Sequence, residues 1–231
     1  MIRITELKLP IEQADTLKHQ DDEIKAAILK RLSISDNDLI DFTIFKRGVD
    51  ARKSHAILYV YSLDVVVKNE ANLLAKFKRD QHINPAPDTS YHFVVQSKKT
   101  SKLRPVIVGF GPAGIFAALI LAQSGFKPIV LERGKEVRKR TQDTWSLWRK
   151  STLNPESNVQ FGEGGAGTFS DGKLYSQIKD PKHYGRKVVA EFIKAGAPEE
   201  IQYVSHPHIG TFKLVGMVEK MRQTIIGLGG E

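Results

Sequence analysis

Glycines 109, 111 and 114, in VIVGFGPAGIF, stand where a short β-branched run gives way to an apolar stretch. A strand, a GxGxxG turn and a helix in that order shape a backbone to hold a pyrophosphate. Gly109 permits the tight turn. Gly111 lets the phosphates approach the backbone, and Gly114 lets helix and strand lie close. Pro112 and Ala113 lie inside the same turn and belong to the same candidate set. The helix then aims free N–H groups and its positive dipole end at the phosphates. Ser124-Gly125 ends the helix, and KPIVLE reads as the second strand, closed by Glu132 eighteen residues after Gly114. A carboxylate there accepts hydrogen bonds from ribose hydroxyls and repels a 2′-phosphate, which argues against NADP in this site. An adenine dinucleotide is expected. The spacing alone does not separate NAD from FAD.

Two further features favour FAD. Arg133 and Gly134 follow the acid, giving LERG. A second loop, NVQFGEGGAGTFSDGKL over Asn158–Leu174, carries Gly162, Gly164, Gly165, Gly167 and Gly172. Glycine at that density lets backbone lie flat against a bulky planar or anionic group. Gly164, Gly165, Ala166, Gly167 and Thr168 are the expected flavin neighbours. Arg133 can lie along the adenine or pair with a phosphate, and its alternative is a solvated surface position. Among Lys135, Arg138, Lys139 and Arg140, Arg140 is the best candidate to reach the pyrophosphate. Lys173 can stabilise a reduced flavin near its N1–C2 carbonyl edge, but a salt bridge to Asp171 accounts for it equally well.

His206 and His208 in SHPHIGT form the closely spaced histidine pair. No carboxylate or cysteine pattern accompanies them, so no metal site is expected, and His206 is a candidate general acid or base. Catalytic residues otherwise stay unknown. Trp145 and Trp148 read as core rather than as residues stacked on a cofactor.

GEGGAGTFSDGKL followed by HPHIGT, behind VIVGFGPAGIFAALILAQSGFKPIVLERG, resembles a bacterial family of uncharacterised FAD-dependent dehydrogenases, the NAD(P)/FAD-dependent oxidoreductases. KRGVDARK (Lys46–Lys53) before VYSLDV resembles the same family. The resemblance covers essentially the whole chain. It implies an FAD-dependent oxidoreductase that passes hydride or electrons through flavin N5, with NAD(P)H as a candidate donor. It also implies an N-terminal fragment of a longer protein, with the rest of the site supplied elsewhere. Two other readings stay open: an NAD-dependent dehydrogenase that uses GxGxxG directly, and a basic nucleic-acid-binding or regulatory protein with a dinucleotide sensor.

The elements that must position these residues fall into two patterns. Residues 1–96 read as βαββαβ, a ferredoxin-like α+β domain. Its expected strands are IRITELKL, LIDFTIFKR with Ile40, Phe42 and Ile44 on one side, HAILYVYSLDVVV and YHFVVQ. Its expected helices are DDEIKAAILKRLS, with Ile24, Ala27, Ile28 and Leu32 on one face, and EANLLAKFKRD, with Leu73, Leu74 and Phe77. KRGVDARK is the candidate binding segment here, and docking against the nucleotide domain is the preferred role. The polar, basic residues 97–104 read as a linker. Residues 105–231 then read as α/β, a Rossmann-like FAD-binding domain, incomplete at its C-terminal end because a doubly wound sheet needs more parallel strands. In it Val106–Val108 is expected to be a buried strand.

Composition sets the outer bounds. The 231 residues contain no cysteine, which excludes disulfides, thiolate metal sites and cysteine nucleophiles. The net charge of +9 is spread over many helices and loops, and DFTIFKR lacks the full aromatic signature of an RNA-recognition module, so nucleic acid is not the expected partner. The N-terminus has no signal-peptide pattern, and Ile115–Ala122 is too short to span a bilayer, so a cytoplasmic location is expected, with no membrane partner. Substrate and oligomeric state are not encoded in any motif.

Overall fold

The computed structural model describes residues 1–11, 20–97, 103–176 and 178–231. Residues 98–102 of the expected linker therefore lie outside the described residues. The fold mixes α and β, with six helices and six strands among the described residues. It divides into two compact units, residues 1–88 with 202–205, and residues 89–201 with 206–231.

The first unit contains β1 (Ile2–Pro10), α1 (Gln20–Leu32), β2 (Leu39–Asp50), β3 (Leu58–Val67), α2 (Glu70–Lys76) and β4 (Ile83–Pro85). The sheet order is β2-β3-β1-β4, and every pairing is antiparallel. In β1 the apolar residues change parity, from Ile2 and Ile4 to Leu7 and Leu9. A bulge makes that possible: Ile4 pairs with Leu63 and Leu7 with Tyr61, so one extra residue is absorbed at Thr5-Glu6, where Glu6 takes φ 57°. All four side chains are thereby buried with Ile24, Ile28 and Leu32 of α1 and Leu63 and Val65 of β3. A second register shift, between Leu39 and Asp41, turns Ile40 outward. Leu39 packs inward with Phe42 and Ile44 in the place expected of Ile40, which is 61% exposed.

The expected last strand, Tyr91–Gln96, does not form. INP at Ile83–Pro85 takes the edge beside β1 instead. Its proline sits at a sheet edge, where a missing N–H is tolerated. Residues 91–96 belong to the second unit. There Tyr91 packs edge-on against Phe93 and Tyr184, and the Lys187 ammonium lies over both the Tyr91 and Phe93 rings. The aromatic alternation of YHFVVQ serves those contacts rather than a ladder.

The second unit contains β5 (Val106–Val108), α3 (Pro112–Gln123), β6 (Ile129–Leu131), α4 (Val137–Lys150), α5 (Tyr184–Lys194) and α6 (Thr211–Gly227). β5 and β6 are parallel neighbours. The Glu231 N–H donates to Pro128 O at 2.9 Å, and the Val130 N–H donates to Glu231 O at 2.6 Å. That is the bonding pattern of a parallel strand beside β6. Ile115, Ala118, Leu119 and Ala122 of α3 bury against Leu214, Met217, Val218, Met221 and Ile225 of α6. Side chains alternate across a strand. Ile107 and Val130 therefore join this core, while Val106, Val108 and Leu131 point away from it and stay exposed. β5 is thus half-buried at Ile107 and exposed at Val106 and Val108, not the buried strand expected. No helix among the described residues is long and apolar enough to cross a membrane.

Candidate functional site

The loop that leaves β5 turns at Gly109, whose φ of 92° favours glycine. Gly111 is the N-cap of α3 and Pro112 follows at N1, with no side-chain cap hydrogen bond. The first amides of α3, at Ala113 and Gly114, have no intrahelical acceptor by helix geometry. A Cβ on Gly114 would overlap Gly109 O and come 3.7 Å from Ile107 Cγ2, so only glycine lets α3 begin this close to the strand. Glu132, at the end of β6, reaches back across the turn. Its carboxylate accepts the Phe110 N–H at 2.7 Å and the Gly134 N–H at 2.8 Å. A carboxylate has about four acceptor sites, so it retains capacity for hydroxyl donors. Glu132 lines two hollows. One, of about 560 Å³, lies over the strand ends with Val108, Gly109, Arg133 and Phe161. The other, of about 280 Å³, is shared with Phe110, Gly134, Lys135, Glu163 and Arg222.

The second glycine loop lies against both strand ends. The Gly164 N–H donates to Phe110 O at 2.8 Å, and the Glu163 N–H donates to Lys135 O at 3.1 Å. Two pairs of glycines meet there. A Cβ on Gly165 would come 3.3 Å from Gly111 Cα, and one on Gly134 would overlap Gly162. The loop thus joins the turn after β5 to the segment after β6 through backbone alone.

Arg140, on α4, holds that loop. It is fully buried. Its Nε donates to Asn158 O at 2.8 Å and its Nη2 to Val159 O at 2.6 Å. Its Nη1 donates to Glu163 O and Gly165 O, both at 2.7 Å, and lies 3.4 Å from Thr168 Oγ1. The guanidinium therefore binds the loop's carbonyls and is a positioning group, with its donors engaged. Burial pushes its pKa down while Glu132 and Glu163 oppose that, and an arginine stays charged throughout the ordinary pH range. Asn158 tightens the same loop, accepting the Gln160 and Phe161 N–H groups at 2.8 and 3.2 Å.

Glu163 is the residue that spacing did not single out. It is buried, and its Oε2 accepts the Val137 N–H at 2.6 Å at the first turn of α4. Arg222 Nε lies 3.2 Å from its Oε1. Burial raises the Glu163 pKa, and the Val137 amide and Arg222 only partly offset that. Its position inside GEGG was the available signal, overshadowed by the glycines on either side.

The other candidates fall out as follows. Arg133 pairs with Glu156 at 3.0 Å and stands over the Phe161 ring at 4.1 Å, at the rim of the larger hollow. Lys135 pairs with Asp143 at 2.8 Å, and Arg138 grips Glu219 at 2.6 Å. Ala166, Gly167 and Thr168 lie in a short 3₁₀ turn, Ala166–Phe169, with Thr168 buried. Lys173 makes the salt bridge to Asp171, at 3.0 Å, with both side chains largely exposed. The hydrogen bond from Lys173 holds the Asp171 carboxyl below its ordinary pKa. His206 stacks on Tyr175 at 5.9 Å, and His208 lies opposite Lys173 in a backbone bridge. Trp145 and Trp148 are not core. They are 43% and 56% exposed, packed edge-on against each other, with Trp148 also on Phe169. The buried side of α4 is the one that carries Val137, Arg140 and Thr144, which leaves both tryptophans outside. Among the described residues no group of three His, Asp or Glu side chains gathers as a metal site.

In the first unit, KRGVDARK spans the end of β2 and the residues after it. Arg47 lies over the Tyr59 and Tyr203 rings, at 4.8 and 5.1 Å. Arg52 pairs with Asp50 at 2.6 Å, and its hydrogen bonds hold the Asp50 carboxyl far below the usual carboxylate range. Lys8 and Lys46 share a groove there with Glu6 and Asp50, so the charges are mixed.

Residues 1–66 match the Domain of unknown function DUF8436. The chain is 48% identical over 208 residues to an uncharacterized protein of Clostridium beijerinckii, covering 90% of this chain and 38% of the relative. The chain thus spans well under half the length of that relative.

Proposed function

We propose that the second unit is the nucleotide-binding part of an FAD-dependent oxidoreductase, a dehydrogenase of the kind its motifs resemble, with a Rossmann-like arrangement about β5, α3 and β6. One observation carries the reading. The Asn158–Thr168 loop is bonded by backbone to both the turn after β5 and the segment after β6, so two glycine-lined surfaces meet beside Glu132. A nicotinamide nucleotide held by the turn alone gives that second loop no role, whereas a long flavin dinucleotide needs a second wall.

The residues fit such a group. The uncapped start of α3 offers amides to the pyrophosphate, and Glu132 keeps acceptor capacity for ribose hydroxyls. Arg133 and Phe161 give the larger hollow a planar, cationic rim for an adenine. Gly164 to Thr168 would face the remainder of the cofactor, and Arg140 keeps them in place. Bound FAD would supply hydride and electron transfer, with NAD(P)H as candidate donor. The strand order β2-β3-β1-β4 supports reading the first unit as ferredoxin-like.

The test is an FAD titration of this chain, followed by flavin fluorescence and visible absorption. Saturable FAD binding, weakened at least about tenfold in Glu132→Ala, is the expected outcome. Tight NAD binding with no uptake of FAD would transfer the site to the direct NAD reading.

A further inference from the structure

A further cavity of about 240 Å³ lies among α3, α5, α6 and the glycine loop, and it shares Pro112, Gly164, Gly167 and Thr168 with the proposed cofactor site. Its walls are mainly apolar, with Ile115, Phe192, Leu214, Met217 and Met221 prominent among them. Three of its described lining residues carry polar side chains, and each has at least one partner. Ser170 Oγ donates to Gly167 O at 2.7 Å and accepts the Gly172 N–H at 3.1 Å. Thr168 Oγ1 lies 3.4 Å from Arg140 Nη1, and Lys173 Nζ lies 3.0 Å from the Asp171 carboxylate.

That inventory defines an occupant. A chamber walled mainly by apolar side chains favours an apolar molecule. A charged molecule would lose hydration against those walls, where the one charged lining residue, Lys173, is already paired with Asp171. The two methionines are flexible and can adjust to different outlines. Gly164 is the partition. Its N–H bonds to Phe110 O on the turn side, while a Cβ there would overlap Thr168 and approach Val218 on the cavity side.

We infer that this cavity is a ligand chamber for a small, uncharged, apolar molecule, and that this molecule is the substrate. The second half rests on the flavoprotein reading; the binding itself does not.

Indole, titrated into the chain by calorimetry, is the probe. Saturable binding is expected, with indole-3-carboxylate at least about tenfold weaker because its charge would be desolvated among apolar walls. Met221→Trp fills the chamber and should abolish indole binding while the circular dichroism spectrum is kept. Met217→Ala enlarges it and should bind naphthalene at least about tenfold more tightly than the wild type does. Absence of saturable indole binding overturns the inference. So does equal binding of the carboxylate, or undiminished indole binding by a folded Met221→Trp variant. If Met221→Trp does not fold, Met217→Ala decides, and unchanged naphthalene affinity overturns it. A chain that binds indole but never FAD keeps the chamber and loses the flavoprotein reading, so the two failures are distinct.

Discussion

The Gly109–Gly114 turn and the Asn158–Thr168 loop sit against each other but are built by opposite means. The turn is held by its neighbours in the chain: β5 before it, α3 after it and Glu132 from the next strand. The loop has no regular element beyond the short 3₁₀ turn, and a side chain from α4 supports it from below. A turn made locally survives as long as its strand and helix do. A loop that takes four of its carbonyl bonds from one guanidinium depends heavily on that residue, although Arg140 is 18 residues from the nearest carbonyl it binds.

Arg140→Met puts the contrast under the greatest strain. It leaves the carbonyls of Asn158, Val159, Glu163 and Gly165 without the donors that Arg140 supplies. The expected loss of stability is about 4 kcal/mol, measured by urea unfolding. Amide exchange should rise across residues 158–168 well before it rises in α3. Arg140→Lys keeps the charge but not the planar fork, so it should recover less than half of the loss. A loss below about 1 kcal/mol for Arg140→Met would mean that the loop is held by something other than the guanidinium.

Alanine at three glycines sharpens the comparison at smaller cost. Gly114→Ala forces a methyl into Gly109 O, and Gly134→Ala forces one into Gly162. Each should cost about 2–3 kcal/mol. Gly167 has nothing within 4 Å of a Cβ position and needs no positive φ, so Gly167→Ala should stay within about 0.5 kcal/mol. Thermal midpoints of the three variants decide it. Three equal losses would mean that the loop is packed as tightly at its outer end as where it meets the strands.

The same contrast explains what the sequence made legible. The strand, turn, helix and strand from Val106 to Leu131 follow from spacing because their geometry is local. The face Ile24, Ile28 and Leu32 follows from helical periodicity, and all three are fully buried. Reading failed where tertiary context chose. Ile40 and Leu39 exchanged places because a register shift is invisible in composition. Tyr91–Gln96 has strand residues, but Tyr184 and Lys187 claim its aromatics. The chemistry of Arg140 suits a pyrophosphate, but the acceptors it serves are backbone carbonyls, which no residue type reveals. Trp145 and Trp148, three apart on a helix, read as core, while α4 buries a guanidinium and leaves both indoles outside.

Glu163 offers the finest test, because it joins the loop to α4 by a group that titrates. Burial raises its folded pKa above the ordinary value of 4.5. The folded state therefore holds this proton more tightly than the unfolded chain does. The sign follows: this group's contribution favours folding below pH 4.5 and is lost as pH rises through the raised folded pKa. Glu163→Gln retains an acceptor for the Val137 N–H and removes the titration. Its stability relative to wild type should therefore climb across that window, on top of a constant offset from the lost Arg222 pair. Urea midpoints taken at half-unit steps of pH measure the difference. A difference that runs the other way would show that Arg222 dominates burial and that the carboxylate, not the neutral acid, is what the loop is built around.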